Sequence, residues 1–268
     1  EAYLAISAIV MFLRRLKYGL SGGGTAIVTR YTLRLLTSQQ FQRAASLICA
    51  MELLRSQDDR ARGMARFTIG LWVGNDVTPG TRAEAKISLE RLHKARNPRE
   101  ANQFQVTECP WCMMELVPEE RDDTKRAYGA RAVGNDIAFF CINPHCEFFS
   151  RELPMAVIDD VLYDDPPTFL LATVDKFARL QFNEHAGRLL GIGTSYKQPD
   201  LIIQDELHLL SGPLGTTVAV FDAVILLLLM QSGTRPKIVA STATIRASAE
   251  QVQGLYGRSV ALYPPAGL

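Results

Sequence analysis

The sequence predicts an α/β protein: a parallel sheet flanked by helices, with a small metal-binding insertion. Three observations predict it. Short apolar runs alternate with longer stretches of helical period toward both ends of the chain, the pattern of strands joined by crossover helices. That rhythm breaks near Asn97-Pro98 and resumes at Val157. Inside the break lie two close pairs of cysteines.

Taken in order, Ala2–Tyr18 carries apolar residues on a helical period. It ends in Arg14, Arg15 and Lys17, cations that suit a helix C-terminus. Ser21-Gly22-Gly23-Gly24-Thr25 is Gly-rich but lacks the Lys of a phosphate-binding loop. It also precedes an apolar run where such a loop would follow one, so it reads as a helix-to-strand turn. Thr25–Tyr31 reads as a strand and Ser38–Gln57 as a helix. Phe67–Val73 is a strand, followed by a turn over Asp76–Gly80 and a helix over Arg82–Lys94. Beyond the break, Phe169–Ala172 is a strand and Val174–Leu180 starts a helix. Leu201–Gln204 is a strand, Val218–Met230 a helix and Lys237–Ala240 a strand.

Composition narrows the classes. At 268 residues and 47% apolar, the chain can build a core for one large domain or two small ones. A net charge of +1 excludes a global basic field, so any nucleic-acid contact must be local. Val218–Met230 is the longest apolar stretch. It contains Asp222 and falls short of the ~20 residues of a membrane span, so it reads as a buried core helix and no membrane partner is expected. No signal peptide is visible. Five cysteines, four of them in two pairs, point to metal binding in a reducing cytoplasm rather than to a disulfide framework.

The pairs are Cys109-Pro-Trp-Cys112 and Cys141-Ile-Asn-Pro-His-Cys146. Each can wrap one side of a tetrahedral Zn²⁺, with Zn–S distances of about 2.3 Å. Pro110 and Pro144 favour the tight turns between ligands. Ile137-Ala138-Phe139-Phe140 suits one strand of a small antiparallel ribbon, which has too little core to fold without metal. The expectation is a structural, zinc-ribbon-like site, with His145 as an alternative ligand to Cys146. The insertion is expected to be a surface module that a short linker could replace. Cys49, in an apolar helix, reads as a small core residue.

Asp205-Glu206-Leu207-His208 directly follows the run Leu201-Ile202-Ile203-Gln204. Two adjacent carboxylates thus emerge where a strand ends, a place where phosphates and Mg²⁺ can lie. Alone, such a pair is as readily a loop or a helix N-cap. Downstream, Lys237-Ile238-Val239-Ala240 is followed by Ser241-Thr242-Ala243-Thr244, residues that alone could serve only turn formation and capping.

Strand-D-E-x-H followed by strand-S-T-A-T resembles motifs II and III of superfamily 2 DExH-box helicases. Thr32-Leu33-Arg34-Leu35-Leu36-Thr37-Ser38-Gln39 resembles a degenerate motif Ia, and Ala172-Thr173-Val174-Asp175-Lys176-Phe177 resembles motif Ib. The wording from Arg30 to Ala44, with the cysteine insertion, is similar to the helicase-like component of DISARM-type bacterial anti-phage systems.

The resemblance implies the first RecA-like (P-loop NTPase) lobe of a two-lobe motor, divided as 1–98, a zinc-binding insertion at 99–156, and 157–268. It implies ATP and Mg²⁺ as cofactors, with Asp205 holding Mg²⁺ and Glu206 positioning or activating water. His208, Ser241, Thr242 and Thr244 would couple the phosphate site to nucleic acid, DNA before RNA. Arg34, Thr173 and Lys176 would touch its backbone, although Arg34 and Lys176 could equally be ordinary surface charges. In such helicases an opening like Glu1-Ala2-Tyr3 comes directly after the P-loop, and no G-x-x-x-x-G-K-[ST] occurs in the chain. The P-loop strand is therefore expected to be missing and this piece alone inactive. A second lobe of the same parent chain and other defence-system subunits are the implied partners. The rival readings are a non-hydrolysing zinc-ribbon module that binds nucleic acid or protein and carries a vestigial D-E-L-H box, and an ATPase switch that does not unwind.

Overall fold

A computed structural model of the chain describes residues 2–31, 38–121, 128–177, 180, 183–231, 233–243 and 248–263. The expected parallel α/β sheet flanked by helices is present. Eight strands are described: β1 (Ile27–Tyr31), β2 (Ile69–Trp72), β3 (Ala130–Val133), β4 (Asp136–Phe139), β5 (Met155–Ala156), β6 (Phe169–Thr173), β7 (Leu201–Gln204) and β8 (Lys237–Ala240). Six form one sheet in the order β5-β2-β6-β1-β7-β8, and every pairing in it is parallel. β3 and β4 form a separate antiparallel hairpin.

The main helices are α1 (Ala2–Tyr18), α2 (Ser38–Gln57), α3 (Arg82–Lys94), α4 (Pro98–Ala101), α5 (Asp159–Asp164), α6 (Val174–Phe177), α7 (Gly212–Gln231) and α8 (Ser248–Tyr256). α3 starts with a capping box, in which Thr81 and Glu84 satisfy each other's backbone N–H groups. The expected helix from Val174 is a single turn as far as Phe177, and residues 178–179 lie outside the described set.

Strands covered on both faces must be apolar throughout, and β2, β6 and β7 are wholly buried. On one face Ile27, Ile69, Leu71, Phe169, Leu171, Leu201 and Ile203 pack with residues of α1 and α2. On the other, Val28, Trp72, Leu170, Ala172 and Ile202 pack with Ile225 and Leu229 of α7. The two ends of β8, Lys237 and Ala240, are exposed at the sheet edge.

Arg14 and Arg15 do more than complement a helix dipole. Both are buried. Arg14 donates to the carbonyls of Gly22, Gly23, Lys197 and Gln198 and pairs with Asp200 at 2.7 Å. Arg15 reaches the carbonyls of Ala65 and Arg66 and the Thr168 hydroxyl. The Gly-rich turn does connect α1 to β1. A Cβ on Gly23 or Gly24 would come within 2.6 or 2.7 Å of the Tyr196 side chain, and Gly24 has φ +71°, so glycine is required for packing.

Two observations bear on the insertion expected at 99–156. Met155–Ala156 pair with β2 as the edge of the main sheet, so the sheet takes up the chain before residue 157. Phe104, Val106, Leu116, Phe139, Phe148 and Leu153 share one continuous core with Ile69, Leu71 and Phe169. The four-cysteine region is thus packed into the lobe.

The apolar run seen as thirteen residues is part of a twenty-residue helix, α7. α7 is long and apolar enough to cross a membrane, with mean hydropathy 2.1 over eighteen residues and 33% of that window buried. Asp222 nonetheless faces inward. It forms a two-pronged pair with Arg30 of β1, one prong at 3.0 Å, and Tyr256 of α8 lies 3.3 Å from the same guanidinium. Asp222→Ala should therefore destabilise the lobe by about 3–5 kcal/mol, because it strands a buried cation. Urea unfolding checks this, with Asp222→Ala and Arg30→Met together expected to cost less than Asp222→Ala alone.

Candidate active site and metal centre

Parallel register builds the first site. Ala172, Arg30, Gln204 and Ala240 form one row across β6, β1, β7 and β8. The next residues are Thr173, Tyr31, Asp205 and Ser241, which stand at the C-terminal edge of the sheet. The chain order reverses about β1 here, the place where open α/β sheets form ligand crevices.

Ser241 locks onto the D-E-L-H turn. Its backbone N–H donates to Gln204 O at 3.0 Å, and its carbonyl accepts from Leu207 N at 2.8 Å. Its hydroxyl donates to Asp205 Oδ1 and accepts from Glu206 N at 3.2 Å. Burial, and then the Asp205 charge, push the Tyr31 hydroxyl up to about 12, so it stays protonated beside the carboxylate.

Glu206 has φ +50° and ψ +52°, a left-handed conformation uncommon outside glycine and asparagine. Its Oε2 lies 3.2 Å from His208 Nδ1. Ala243 N also points at that nitrogen, from 3.4 Å. One nitrogen cannot both carry a proton toward Glu206 and accept one from Ala243. The His208 tautomer therefore selects between a contact to the carboxylate and a contact to the S-T-A-T loop. Thr242 sits next to Ser241 in that loop, partly buried. Thr244 and Arg34 lie outside the described residues.

Thr173 and Lys176 stand further along the same edge. Thr173 is buried, and its hydroxyl finds no partner among the described residues. Lys176 is not an open surface charge. Only 7% exposed, it pairs with Asp159 at 2.5 Å, reaches Asn75 Oδ1 at 2.6 Å and lies over the Trp72 ring. Burial pushes the Asp159 carboxyl up, and the Lys176 ammonium opposes that shift. In this conformation Lys176 serves the fold, and a phosphate would have to displace Asp159 to reach it.

The second site is the cysteine cluster. The Sγ atoms of Cys109, Cys112, Cys141 and Cys146 all lie within 4.8 Å of one another. Cys109 and Cys146 are 4.0 Å apart, Cys112 and Cys141 3.4 Å. Tetrahedral ligands at about 2.3 Å from a zinc ion stand about 3.8 Å apart, so the cage is of the right size. Backbone N–H groups of Asn143 and Phe148 point at the sulfurs of Cys141 and Cys146, as they do when thiolates are ligated. Burial pushes the Cys109 thiol up and the Cys146 thiol up to about 12, so a bound cation would be needed to hold both as thiolates. His145 is exposed and outside the cage. Cys49 is fully buried in α2, as expected.

DISARM protein DrmA of Bacillus paralicheniformis is 34% identical over 316 aligned residues that take in the whole of this chain. The chain is DrmA-like from end to end. It spans 27% of that relative's length. No family model matches it. Three solved structures of the DUF1998 helicase MrfA align with a TM-score of 0.34 each. Two of these are bound to DNA, one of them with AMPPNP as well. The three are 12%, 16% and 14% identical and cover 92%, 96% and 96% of this chain but 28%, 26% and 26% of the neighbour. Likeness at that score transfers neither residues nor ligands.

Some residues around the D-E-L-H turn of this DrmA-like chain were not singled out from sequence. Gln204 is wholly buried at the end of β7, and Gln251 of α8 reaches back to the D-E-L-H turn. A signal for Gln204 existed, a polar residue closing an apolar run. None existed for Gln251, because its partners are backbone carbonyls some forty residues away.

Proposed function

We propose that the chain is the part of an ATP-dependent superfamily 2 helicase or translocase that carries the hydrolytic carboxylates, working on DNA in anti-phage defence. The observation that carries this is the Asp205–Ser241 contact, because it joins the two expected loops at the open end of a parallel sheet. Likeness to DrmA supports the defence setting. Asp205 would hold Mg²⁺, usually through water, and Glu206 would orient or activate the attacking water. A bound Mg²⁺ would supply charge neutralisation at the phosphates. Ser241 accepts from Glu206 N and donates to Asp205, so a change at the phosphates that moved either residue would be felt on β8. His208, Thr242 and Thr244 would extend that coupling toward nucleic acid.

Zn²⁺ on Cys109, Cys112, Cys141 and Cys146 would be structural, since four thiolates leave no open position for water. The domain division, with the insertion between two parts of the lobe, belongs to the same proposal, as do the second lobe and a cytoplasmic setting.

The test is ATPase and strand-displacement assay of the full-length protein, with and without DNA. DNA-stimulated hydrolysis supports the reading. Binding without hydrolysis favours a zinc-ribbon module, and hydrolysis without displacement a translocase or switch. This piece alone should show no ATPase activity. Arg34 is the proposed backbone contact with the clearest readout. In the full-length protein Arg34→Ala should weaken DNA binding at every sequence and lower the salt slope by about one phosphate contact.

A further inference from the structure

The left-handed backbone of Glu206 needs an explanation. A non-glycine residue stays there only when its surroundings hold it. Ser241 is one holder. Two glutamine side chains are others, and they act on either side of Glu206. The Gln204 amide donates to the carbonyl of Asp205 at 2.9 Å, in the peptide that leads into Glu206, and more weakly to Arg30 O at 3.4 Å. The Gln251 amide donates to the carbonyls of Leu207 and Leu210, both at 2.9 Å, at the two ends of the turn that leads away. The Leu207 carbonyl already accepts from Leu210 N at 3.0 Å within the turn, so the Gln251 amide adds a second bond there and bonds the Leu210 carbonyl one residue beyond it, a clamp across both ends. Gln251 lies on α8, which comes after the S-T-A-T loop and packs against α7, which comes after the D-E-L-H turn.

We infer that Gln251, together with Gln204, is a positioning residue for Glu206. It holds the turn in the conformation that presents the carboxylate beside Asp205 and His208, and ties that presentation to the element behind the S-T-A-T loop. Both glutamine amides donate to backbone carbonyls and not to the carboxylate of Asp205 or Glu206. The inference rests on the reading of Glu206 as the hydrolytic residue.

The test uses the full-length protein and three variants. Gln251→Glu is the same size but cannot donate when ionised, and it sets a carboxylate against two carbonyl oxygens. It should lower kcat for ATP hydrolysis about tenfold or more, since small displacements of a catalytic group are costly. KM for ATP should stay at the parent's value, while the thermal midpoint falls by a few degrees, because two hydrogen bonds are lost. Gln251→Lys keeps an N–H donor of similar reach and should recover kcat to within about threefold. Gln204→Met, without the amide, should repeat the kcat loss from the other side of the turn. An unchanged kcat in Gln251→Glu overturns the inference. So does an equal loss in Gln251→Lys, or a kcat loss that follows the unfolded fraction as temperature is varied, because global destabilisation alone would then account for it. Glu206→Gln, run in parallel, separates the two levels. If it is inactive while Gln251→Glu is normal, only the positioning role fails. If it hydrolyses ATP at the parent's rate, the hydrolytic reading and the inference built on it both fail.

Discussion

Glu206→Gln is expected to reduce ATP hydrolysis by the full-length protein about 10²–10⁴-fold, the usual worth of a positioned general base. ATP binding should survive. The substitution keeps the length and shape of the side chain and removes its charge. The backbone contacts that hold the turn, Glu206 N to Ser241 Oγ and Leu207 N to Ser241 O, do not involve the side chain and stay in place. What is lost is the carboxylate that faces His208 at 3.2 Å. Asp205→Asn should behave differently. Asp205 Oδ1 accepts from Ser241 and from Glu206 N, contacts that an amide oxygen can keep, so the substitution removes the charge that would hold Mg²⁺ and leaves the turn in place. Nucleotide affinity in the presence of Mg²⁺ should fall along with kcat. Steady-state kinetics with equilibrium binding of a nonhydrolysable ATP analogue distinguishes the two variants. A Glu206→Gln enzyme with the parent's kcat would leave the D-E-L-H box vestigial.

Removing the metal is expected to loosen far more than the cysteine loops. One Zn²⁺ per chain is expected, measurable by elemental analysis of protein prepared under reducing, metal-replete conditions. Structural zinc contributes about 10–16 kcal/mol to folding in isolated finger peptides. Here Cys109, Cys141 and Cys146 belong to the same core cluster as Phe148, Leu153, Phe169 and Leu171. Without a cation, thiols that burial holds protonated would leave the cage without its central bonds. Chelation, or Cys141→Ser, should abolish amide-exchange protection at β3 and β4 and weaken it at β2 and β5. Loss confined to the cysteine loops, with full protection at β2, would show that the shared core stands without metal. A surface module replaceable by a linker would behave in that second way, and the continuous packing favours the first.

Local pattern was enough for much of this molecule. The strands at Ile27–Tyr31, Ile69–Trp72, Leu201–Gln204 and Lys237–Ala240 were legible because a short apolar run bounded by polar residues has few other uses. The cysteine cage was legible because two close pairs of ligands in one chain are hard to explain otherwise. β5 was not legible, since two residues carry no periodicity and only pairing with β2 defines them. The start of helix α7 was not legible either, because Gly212, Pro213 and Gly215 weaken the helical signal there, while packing carries the helix through them. Lys176 was read from its neighbours in sequence, yet its partner Asp159 arrives from α5, seventeen residues earlier.

The carboxylates and thiols of the candidate site were thus nameable from sequence alone, because carboxylates at a strand end and thiols in close pairs are local facts, whereas Gln251 was not. The alternation of strands and helices, the parallel sheet and the near-neutral net charge belong to the same class. Tertiary structure alone decided that Asp205 meets Ser241, that Lys176 is occupied by Asp159, that Asp222 points inward to Arg30 and that the cysteine region shares the lobe's core. The physical reason is range. Periodicity and ligand spacing act over a few residues, whereas strand register and buried ion pairs depend on which distant segments the sheet brings side by side.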